Sequence, residues 1–433
     1  MNRSLIFLLF TLIFLSACKK ERDEVLPAIS YIIPSGNGNQ YEFDDDINVR
    51  LSVADDQALK LVTVRIEHNS SNAILGVKSE ALSGTGSEVL LIFPFDNIHL
   101  PGGTYTISAT VEDEAGNTKS AFREIVIFEV PLERESIGII QQNGNSLSID
   151  TLSQNGNFIN AWQGNGTYNS SLMGNYYQEL LIGEGDLARV KFINTQTWQE
   201  ESSFQIGSAL ASDQIRDIAF SETRRLYYVA FFDGVIRLFG ENGNQSGSVD
   251  LPLNYRPIQM SLNGQTLLVH AEQIGSENEL LVQFNAVTGI ITQSSNIPGN
   301  LLQMVPYEDE FLLFSEDDGA IVLRSYNGSN GNTTTLPWLV SNQMVNEVVA
   351  MDNGFYAVAH ADGVYLYQFG SGAFLSGTNN GVNARSLKFD PVGNVLYALD
   401  NSSLHQISPN SGALIQSFPV PSGSRDFFIQ LNK

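Results

Sequence analysis

Four arginines recur at a regular spacing in the C-terminal two thirds of the chain, and their side chains could bind an anion. Arg216 and Arg256 lie 40 residues apart, as do Arg385 and Arg425, and 129 residues separate the two pairs. Clustered guanidinium groups bind carboxylate or sulfate through bidentate hydrogen bonds. The alternative is structural, because an arginine at one phase of a repeat can pair with carboxylates between neighbouring repeats.

Acidic residues in the N-terminal third could supply oxygen ligands for calcium. Asp55 and Asp56 form one acidic turn, and Asp113 belongs to a second. Calcium prefers carboxylate and carbonyl oxygens, although no spacing here matches an EF-hand loop. Acidic turns in so acidic a chain are also simply solvated. The sequence therefore predicts no cofactor, with calcium at Asp55, Asp56 and Asp113 as the one metal site left open.

No spacing of residue types identifies a catalytic centre. The five histidines are scattered and lack the spacing of metal ligands. The chain has no nucleophile elbow and no phosphate-binding loop. A carboxylate pair for glycoside hydrolysis stays open, because the chain is rich in acids but no pair is singled out. The sequence thus predicts no catalytic residue and favours a non-enzymatic protein over an enzyme.

The only cysteine, Cys18, follows a segment with the layout of a secretory signal. Residues 1–17 contain a basic residue, an apolar run and then small residues, and they are too short for a spanning helix. The tetrapeptide Leu15-Ser16-Ala17-Cys18 resembles a bacterial lipobox. That resemblance implies cleavage before Cys18, acylation of Cys18 with chains such as palmitate, and membrane attachment. Three acyl chains exceed the two signals that stable anchoring needs.

Composition limits the partners of the mature protein. Lys and Arg number 23 and Asp and Glu number 47, which gives a formal net charge of −24. Nucleic acid and anionic lipid both require a basic surface, so neither is expected as a partner. With no cysteine besides Cys18, the chain has no disulfides and depends on its apolar cores. The abundant Gly and Asn between β-branched and aromatic residues predict an all-β fold.

Strand patterns predict a β-sandwich over residues 27–130, after a lipidated tether at 18–26. About seven alternating segments fill this region, which is the content of an immunoglobulin-like sandwich. The segments Ala54–Leu59 and Glu112–Thr118 resemble loops of bacterial Ig-like and cadherin-like modules. The tether itself, with a basic residue followed by acids just after Cys18, resembles the surface-export signal of one group of Gram-negative bacteria. A plain charged linker explains the tether equally well.

Residues 136–433 repeat a four-strand unit of roughly forty residues, which is typical of a propeller blade. Seven units are counted, and the last strand, Asp426–Leu431, is expected to complete the first unit so that no edge stays free. The segment Asp390–Tyr397 resembles the hairpin of YVTN-type propeller repeats. Trp162, Trp198 and Trp338 could stack on sugars near blade edges, although a propeller core also needs aromatic residues.

The sequence therefore predicts a lipid-anchored binding or scaffold protein of the Gram-negative cell envelope, attached to the outer membrane and with surface exposure left open. The Ig-like domain would be a spacer, and the propeller would bind a protein, a glycan or a small anion. The alternative is a carbohydrate-active enzyme, a lyase or a glycosidase, acting in the propeller channel. A third hypothesis is a structural component that assembles with other lipoproteins.

Overall fold

A computed structural model describes residues 24–185, 188–206, 215–297, 299–337, 344–351, 354–369 and 380–433. These residues form 35 strands and one short 3-10 turn at Glu241–Gly243. The chain divides into two compact units, Met1–Pro131 and Leu132–Lys433. Across the described ranges, no helix is both long and apolar enough to cross a membrane. Cys18 and the signal lie outside these residues, so the lipidation of Cys18 stays a prediction.

The first unit contains two sheets. One has the order β1-β3-β6, with strands Ala28–Ile33, Asp46–Ala54 and Gly86–Pro94. The other has the order β2-β8-β7-β4-β5, with strands Asn39–Tyr41, Thr118–Ile127, Gly103–Asp113, Leu59–His68 and Ile74–Ala81. Alternate side chains of β3, β4 and β7 point inward, as the period of two requires. They form one apolar core shared by both sheets.

The second unit contains seven sheets among the described residues, numbered here in chain order. Sheet 1 has the strand order β11-β10-β9-β35 and consists of Phe158–Asn165, Ser146–Leu152, Arg134–Asn143 and Ser424–Leu431. Sheet 2 (β12–β15) consists of Tyr168–Gly174, Glu179–Glu184, Arg189–Asn194 and Gln199–Gln205. Sheet 3 (β16–β19) consists of Ile215–Ser221, Leu226–Phe231, Val235–Phe239 and Gln245–Asp250.

The remaining four sheets follow the same meander. Sheet 4 (β20–β23) consists of Tyr255–Asn263, Thr266–Gln273, Glu279–Asn285 and Ile291–Asn296. Sheet 5 (β24–β27) consists of Asn300–Tyr307, Glu310–Asp317, Ala320–Tyr326 and Thr333–Leu336. Sheet 6 (β28–β30) has three strands in the described part, Val345–Ala350, Phe355–His360 and Gly363–Gln368. Sheet 7 (β31–β34) consists of Ser386–Asp390, Val395–Leu399, Ser403–Ile407 and Leu414–Pro419.

Face-to-face packing of consecutive sheets forms the core of the second unit. The second strand of most sheets is buried along almost its whole length, which explains its continuous apolar sequence rather than an alternating one. Seven separate apolar clusters each join two sheets that are neighbours. The cluster of Ile139 and Phe427 joins sheets 7 and 1, and that of Ile140 and Phe428 joins sheets 1 and 2.

The first strand of each sheet packs against the first strand of the next, and β35 takes that place in sheet 1. β35 pairs antiparallel with β9, with Phe428 opposite Gly138, and it also packs against β31 and β12. We call these seven strands the inner strands: β35, β12, β16, β20, β24, β28 and β31. An all-β chain of successive four-stranded meanders, packed face to face in this way, fits a β-propeller-like fold.

Candidate functional site

A β-bulge lies near the start of six inner strands and sets the direction of the side chains there. The pairing register shifts between Ile215 and Asp217 in β16, between Val345 and Glu347 in β28, and between Ser424 and Asp426 in β35. Equivalent shifts occur in β12, β20 and β24. Because a bulge inserts one unpaired residue and re-aims its neighbours, the residue after each bulge occupies an equivalent place in every inner strand.

All the residues at this place are polar. With Ser386, which begins β31 beside Asp426, they form what we call the inner polar set: Ser170, Asp217, Gln259, Gln303, Glu347, Ser386 and Asp426. Ser386 is buried and the other six are half-buried. Buried polar groups are normally hydrogen-bonded, and Asp217, Ser386 and Asp426 all have hydrogen-bond partners.

Asp426 is the best-connected member of the inner polar set. Its Oδ2 atom accepts hydrogen bonds from the hydroxyls of Tyr168 and Ser171, both at 2.9 Å. Its Oδ1 atom accepts one from Ser386 at 2.7 Å and lies 3.9 Å from the Lys388 ammonium. One carboxylate therefore ties β35 to β12 on one side and to β31 on the other.

In three inner strands or the segment before them, the residue that precedes the member of the inner polar set contacts the next inner strand. The side-chain amide of Asn169 donates to the carbonyl of Ile215, and that of Asn346 donates to the carbonyl of Ala384 at 3.0 Å. The Arg385 guanidinium donates in the same way to the carbonyl of Ser424. Two amides and one guanidinium thus satisfy equivalent backbone acceptors at the start of the next inner strand.

Burial and neighbouring charges set the pKa values of the three acids differently. Burial raises the pKa of Asp217 to about 6, although the backbone N–H groups of Met260 and Ile218 donate to its oxygens. Burial also raises the pKa of Glu347 to about 7; Lys388 opposes this shift, and the charges of Asp426 and Asp217 add to it. Burial alone would raise the pKa of Asp426. The charge of Lys388 and the hydrogen bonds donated to the carboxylate outweigh the effect of burial and hold this pKa below its usual value.

The four arginines predicted from the sequence lie near the starts of inner strands, and Arg216, Arg385 and Arg425 share one phase. Arg256 does not, since in β20 the bulge lies between Pro257 and Gln259. It is therefore two residues earlier than the other three, and the predicted common phase is wrong for this residue. The interval of 40 residues between Arg216 and Arg256 does not reveal this offset of two residues, because the loops between strands differ in length.

Arg216 and Arg256 lie together and share one carboxylate. The Arg256 Nε atom is 2.6 Å from Oε1 of Glu272, and the Arg216 Nη2 atom is 3.8 Å from the same oxygen. Both guanidinium groups also lie over the ring of Phe232, at 4.5 Å for Arg256 and 5.2 Å for Arg216. This pairing between sheets 3 and 4 is the arrangement that the structural alternative predicts.

Arg385 and Arg425 come from adjacent inner strands but have different surroundings. Arg385 is half-buried, and burial lowers its pKa. Arg425 is exposed, and the charges of the two arginines act on each other. Among the described residues no ion pair of Arg425 is found within 4.0 Å. The structure does not bring the pair of sheets 3 and 4 into contact with the pair of sheets 7 and 1.

The acidic turns of the first unit use their oxygens locally. Asp113 is buried, and its two carboxylate oxygens accept hydrogen bonds from the backbone and side-chain N–H groups of Asn117, both at 2.8 Å. Asp55 accepts a hydrogen bond from the Gln57 N–H at 3.2 Å, and Asp56 is exposed. Across the part of the chain that the structure describes, no three His, Cys, Asp or Glu side chains are grouped so as to hold a metal.

Sequence reasoning missed the three acids of the inner polar set. Asp217 and Asp426 each follow an arginine directly, so an Arg-Asp pair at the start of a predicted inner strand was an available signal. Glu347 follows Asn346 instead and shares no such pair. Its position depends on the bulge, which strand periodicity does not reveal.

Comparisons with known proteins do not assign a family. No protein-family model and no curated protein matches this chain. A functionally unknown protein from Desulfotomaculum acetoxidans DSM 771 is similar over 68% of this chain and 99% of that chain, at 12% identity and a TM-score of 0.49. The C-terminal WD40 domain of Sif2 is similar over 68% and 90%, at 11% identity and a TM-score of 0.47. Both TM-scores lie below 0.5, and no function is transferred from either protein.

The raised pKa of Glu347 predicts a pH-dependent stability of the second unit. The folded state holds the proton of Glu347 more tightly than the unfolded chain does, so ionisation between pH 5 and pH 8 lowers the free energy of unfolding. Glu347→Gln cannot ionise. The free energy of unfolding of this variant, relative to that of the wild type, should increase by about 1–3 kcal/mol as the pH rises from 5 to 8. Urea unfolding followed by tryptophan fluorescence measures this, because all three tryptophans belong to the second unit.

The control for this experiment is Glu277→Gln, which changes an exposed glutamate of the same unit. Its stability relative to the wild type should not vary with pH. If Glu347→Gln behaves like this control, burial does not disfavour the Glu347 carboxylate.

Proposed function

We propose that this chain is a lipid-anchored binding protein of a Gram-negative cell envelope, with its ligand site on the second unit. Cys18 carries the lipid and attaches the protein to the outer membrane. The first unit is an Ig-like spacer, and the second is a seven-bladed propeller whose first blade is completed by β35. The ligand is a small anion bound where the inner strands begin. The exposed guanidinium of Arg425 at that end is the observation that carries this proposal.

Two features support the Ig-like assignment of the first unit. Two sheets of three and five strands enclose one apolar core, as in a β-sandwich. The Tyr105 hydroxyl donates to the carbonyl of Pro101 at 2.7 Å. A tyrosine that bonds to backbone a few residues upstream, near the start of its strand, is the tyrosine corner of many Ig-like domains.

Seven sheets, seven shared apolar clusters and the pairing of β35 with β9 support the propeller assignment of the second unit. Each sheet has two faces to cover, and a circular arrangement covers both faces of every sheet without a terminal cap. It also leaves no inner edge free for pairing with another chain. A propeller of this kind presents its loops and strand starts as a fixed surface for a ligand.

Charge at the start of the inner strands supports an anionic ligand. Arg216 and Arg256 share the single carboxylate of Glu272, which leaves one positive charge over, and Arg425 adds another. Below pH 6 the nearby Asp217 and Glu347 are largely uncharged, because their pKa values are about 6 and 7. Guanidinium groups pair with carboxylate or sulfate in bidentate fashion. Anion affinity is therefore expected to fall as the pH rises from 6 to 8.

Membrane attachment depends on Cys18 alone. Replacing Cys18 with Ser should abolish incorporation of labelled palmitate and move the protein from the membrane fraction to the soluble fraction, since lipidation is the only anchor proposed. Mass spectrometry of the mature N-terminus and fractionation of expressing cells measure both effects. Protease treatment of intact cells then tells whether the wild-type protein is surface-exposed. Palmitate labelling that persists in Cys18→Ser would contradict the lipobox assignment.

Substitutions of Arg425 and Arg385, which occupy equivalent positions, should distinguish a role in ligand binding from a role in stability. Arg425→Ala should weaken binding of sulfate or succinate at least about threefold, as expected for the loss of one exposed charge pair, with little change in melting temperature. Arg385→Ala should instead lower the melting temperature, because it removes the hydrogen bond to the Ser424 carbonyl. Calorimetry on residues 19–433 measures both. Unchanged affinity in Arg425→Ala would remove the anion site from this proposal.

Glu347 favours one second candidate, a carbohydrate-active enzyme. A carboxylic acid with a pKa near 7 is what a glycosidase uses as its general acid, and Glu347 lies close enough to Asp217 and Asp426 for their charges to raise its pKa. This alternative predicts release of reducing sugar or unsaturated product from a polysaccharide, and loss of that release in Glu347→Gln. Binding without turnover favours the binding protein.

A further inference from the structure

One hairpin recurs in four sheets of the second unit, between the third and fourth strands. In each copy the fifth residue donates its backbone N–H to the carbonyl of the first, at 2.8 Å in all four. In three copies the fifth residue is glycine, namely Gly289, Gly331 and Gly412, with φ values between 67° and 70°. This is the left-handed region, which glycine adopts without steric cost.

Sheet 2 has a tryptophan at the fifth position of the same hairpin. Trp198 donates to Asn194 and has a φ of 55°, where a bulky side chain is strained. The indole packs 6.3 Å from the ring of Phe428 and remains half-buried. The hairpin forms with glycine elsewhere in the chain, so the turn itself does not require this side chain.

Trp198 forms part of one wall of a groove between sheets 1 and 2. The groove has a volume of about 730 Å³, within the range of about 300–1,000 Å³ for small-molecule sites. Strand β11 bounds it on one side, where Trp162 lies, and strands β14 and β15 bound it on the other. It lies on outer strands and is distinct from the arginines of the inner strands.

Charges around the groove balance. Lys191 lies 3.2 Å from Glu184 and 3.3 Å from Glu200, and Arg189 lies 3.1 Å from the second oxygen of Glu184. The Lys191 ammonium also donates to the carbonyl of Asn165 at 2.8 Å and faces the Trp162 ring. Two cations against two carboxylates leave no net charge to select an anion or a cation.

Most of the other side chains that line the groove are exposed amides. The side chains of Asn145, Asn160, Gln163, Asn165 and Gln199 line it and reach solvent. Each amide offers both donors and acceptors, which is what adjacent sugar hydroxyls require, and the indole of Trp198 offers an apolar surface for the C–H face of a sugar ring. We infer that this groove binds a neutral oligosaccharide, with Trp198 as the stacking side chain.

Fluorescence titration of residues 19–433 carrying Trp338→Phe tests this inference, because Trp162 and Trp198 are then the only tryptophans. The probes are maltohexaose, cellohexaose and mannohexaose, with hexagalacturonate as the anionic comparison. At least one neutral probe should quench or shift the emission with saturation. Its affinity should not change when salt rises from about 0.05 to about 0.5 M, because uncharged ligands are not screened.

Substitutions in and outside the groove test whether the oligosaccharide binds there. Trp198→Gly, which restores the residue that the other three hairpins have, should weaken binding about tenfold, the value of one good aromatic contact. The double variant Gln163→Ala, Gln199→Ala changes only exposed side chains and should also weaken it. Ile290→Ala alters the residue that follows Gly289, as Gln199 follows Trp198, and should have no effect. Arg425→Ala should likewise leave it unchanged.

Three results would overturn the inference. They are saturable binding of none of the neutral probes, tighter and salt-sensitive binding of hexagalacturonate, and unchanged affinity in both groove variants. Calorimetry replaces fluorescence for Trp198→Gly, so that loss of the reporter is not mistaken for loss of binding. Far-UV circular dichroism and the melting temperature confirm that each variant is folded.

Discussion

The pairing of β35 with β9 is the interaction on which the second unit depends. It joins the last strand of the chain to the first strand of that unit, and Phe428 lies opposite Gly138, which is 290 residues earlier in the sequence. It places Phe427 in the cluster with sheet 7 and Phe428 in the cluster with sheet 2. The fit is close, since a Cβ atom on Gly138 would lie 2.1 Å from the Phe428 ring. Without β35, sheets 7 and 2 would each lose apolar contacts, and β9 would be a free edge.

Side-chain hydrogen bonds beside the inner polar set hold the inner strands together once β35 is in place. Asn169, Asn346 and Arg385 each satisfy a backbone carbonyl of the next inner strand, an acceptor that is costly to leave unpaired when buried. An amide and a guanidinium are interchangeable in this role, because only an N–H donor at the right distance is needed. An arginine at a repeated position therefore carries no information about a ligand until its hydrogen bonds are known.

Much of the fold follows from the sequence, and most of the site does not. The apolar second strands, such as Leu180–Ile182 and Leu267–Val269, predict the repeat because burial on both faces requires continuous apolar residues. The role of Glu347 could not be predicted, since a bulge changes side-chain direction without changing composition. The edge strand Ile74–Ala81 is also hard to predict from the sequence, because its side chains are mostly exposed and no buried face requires alternation.

Deviation from the repeat is a better guide to function here than agreement with it. Arg385 agrees with its repeat and is used for structure. Trp198 stands where the three equivalent hairpins have glycine, at a φ of 55° that strains a bulky side chain, and such strain persists only where other contacts compensate for it. The Phe428 ring supplies part of that compensation. Trp198 also lines a groove that has exposed amides and balanced charges, so the exception to the repeat coincides with a surface suited to an uncharged, hydroxyl-rich ligand.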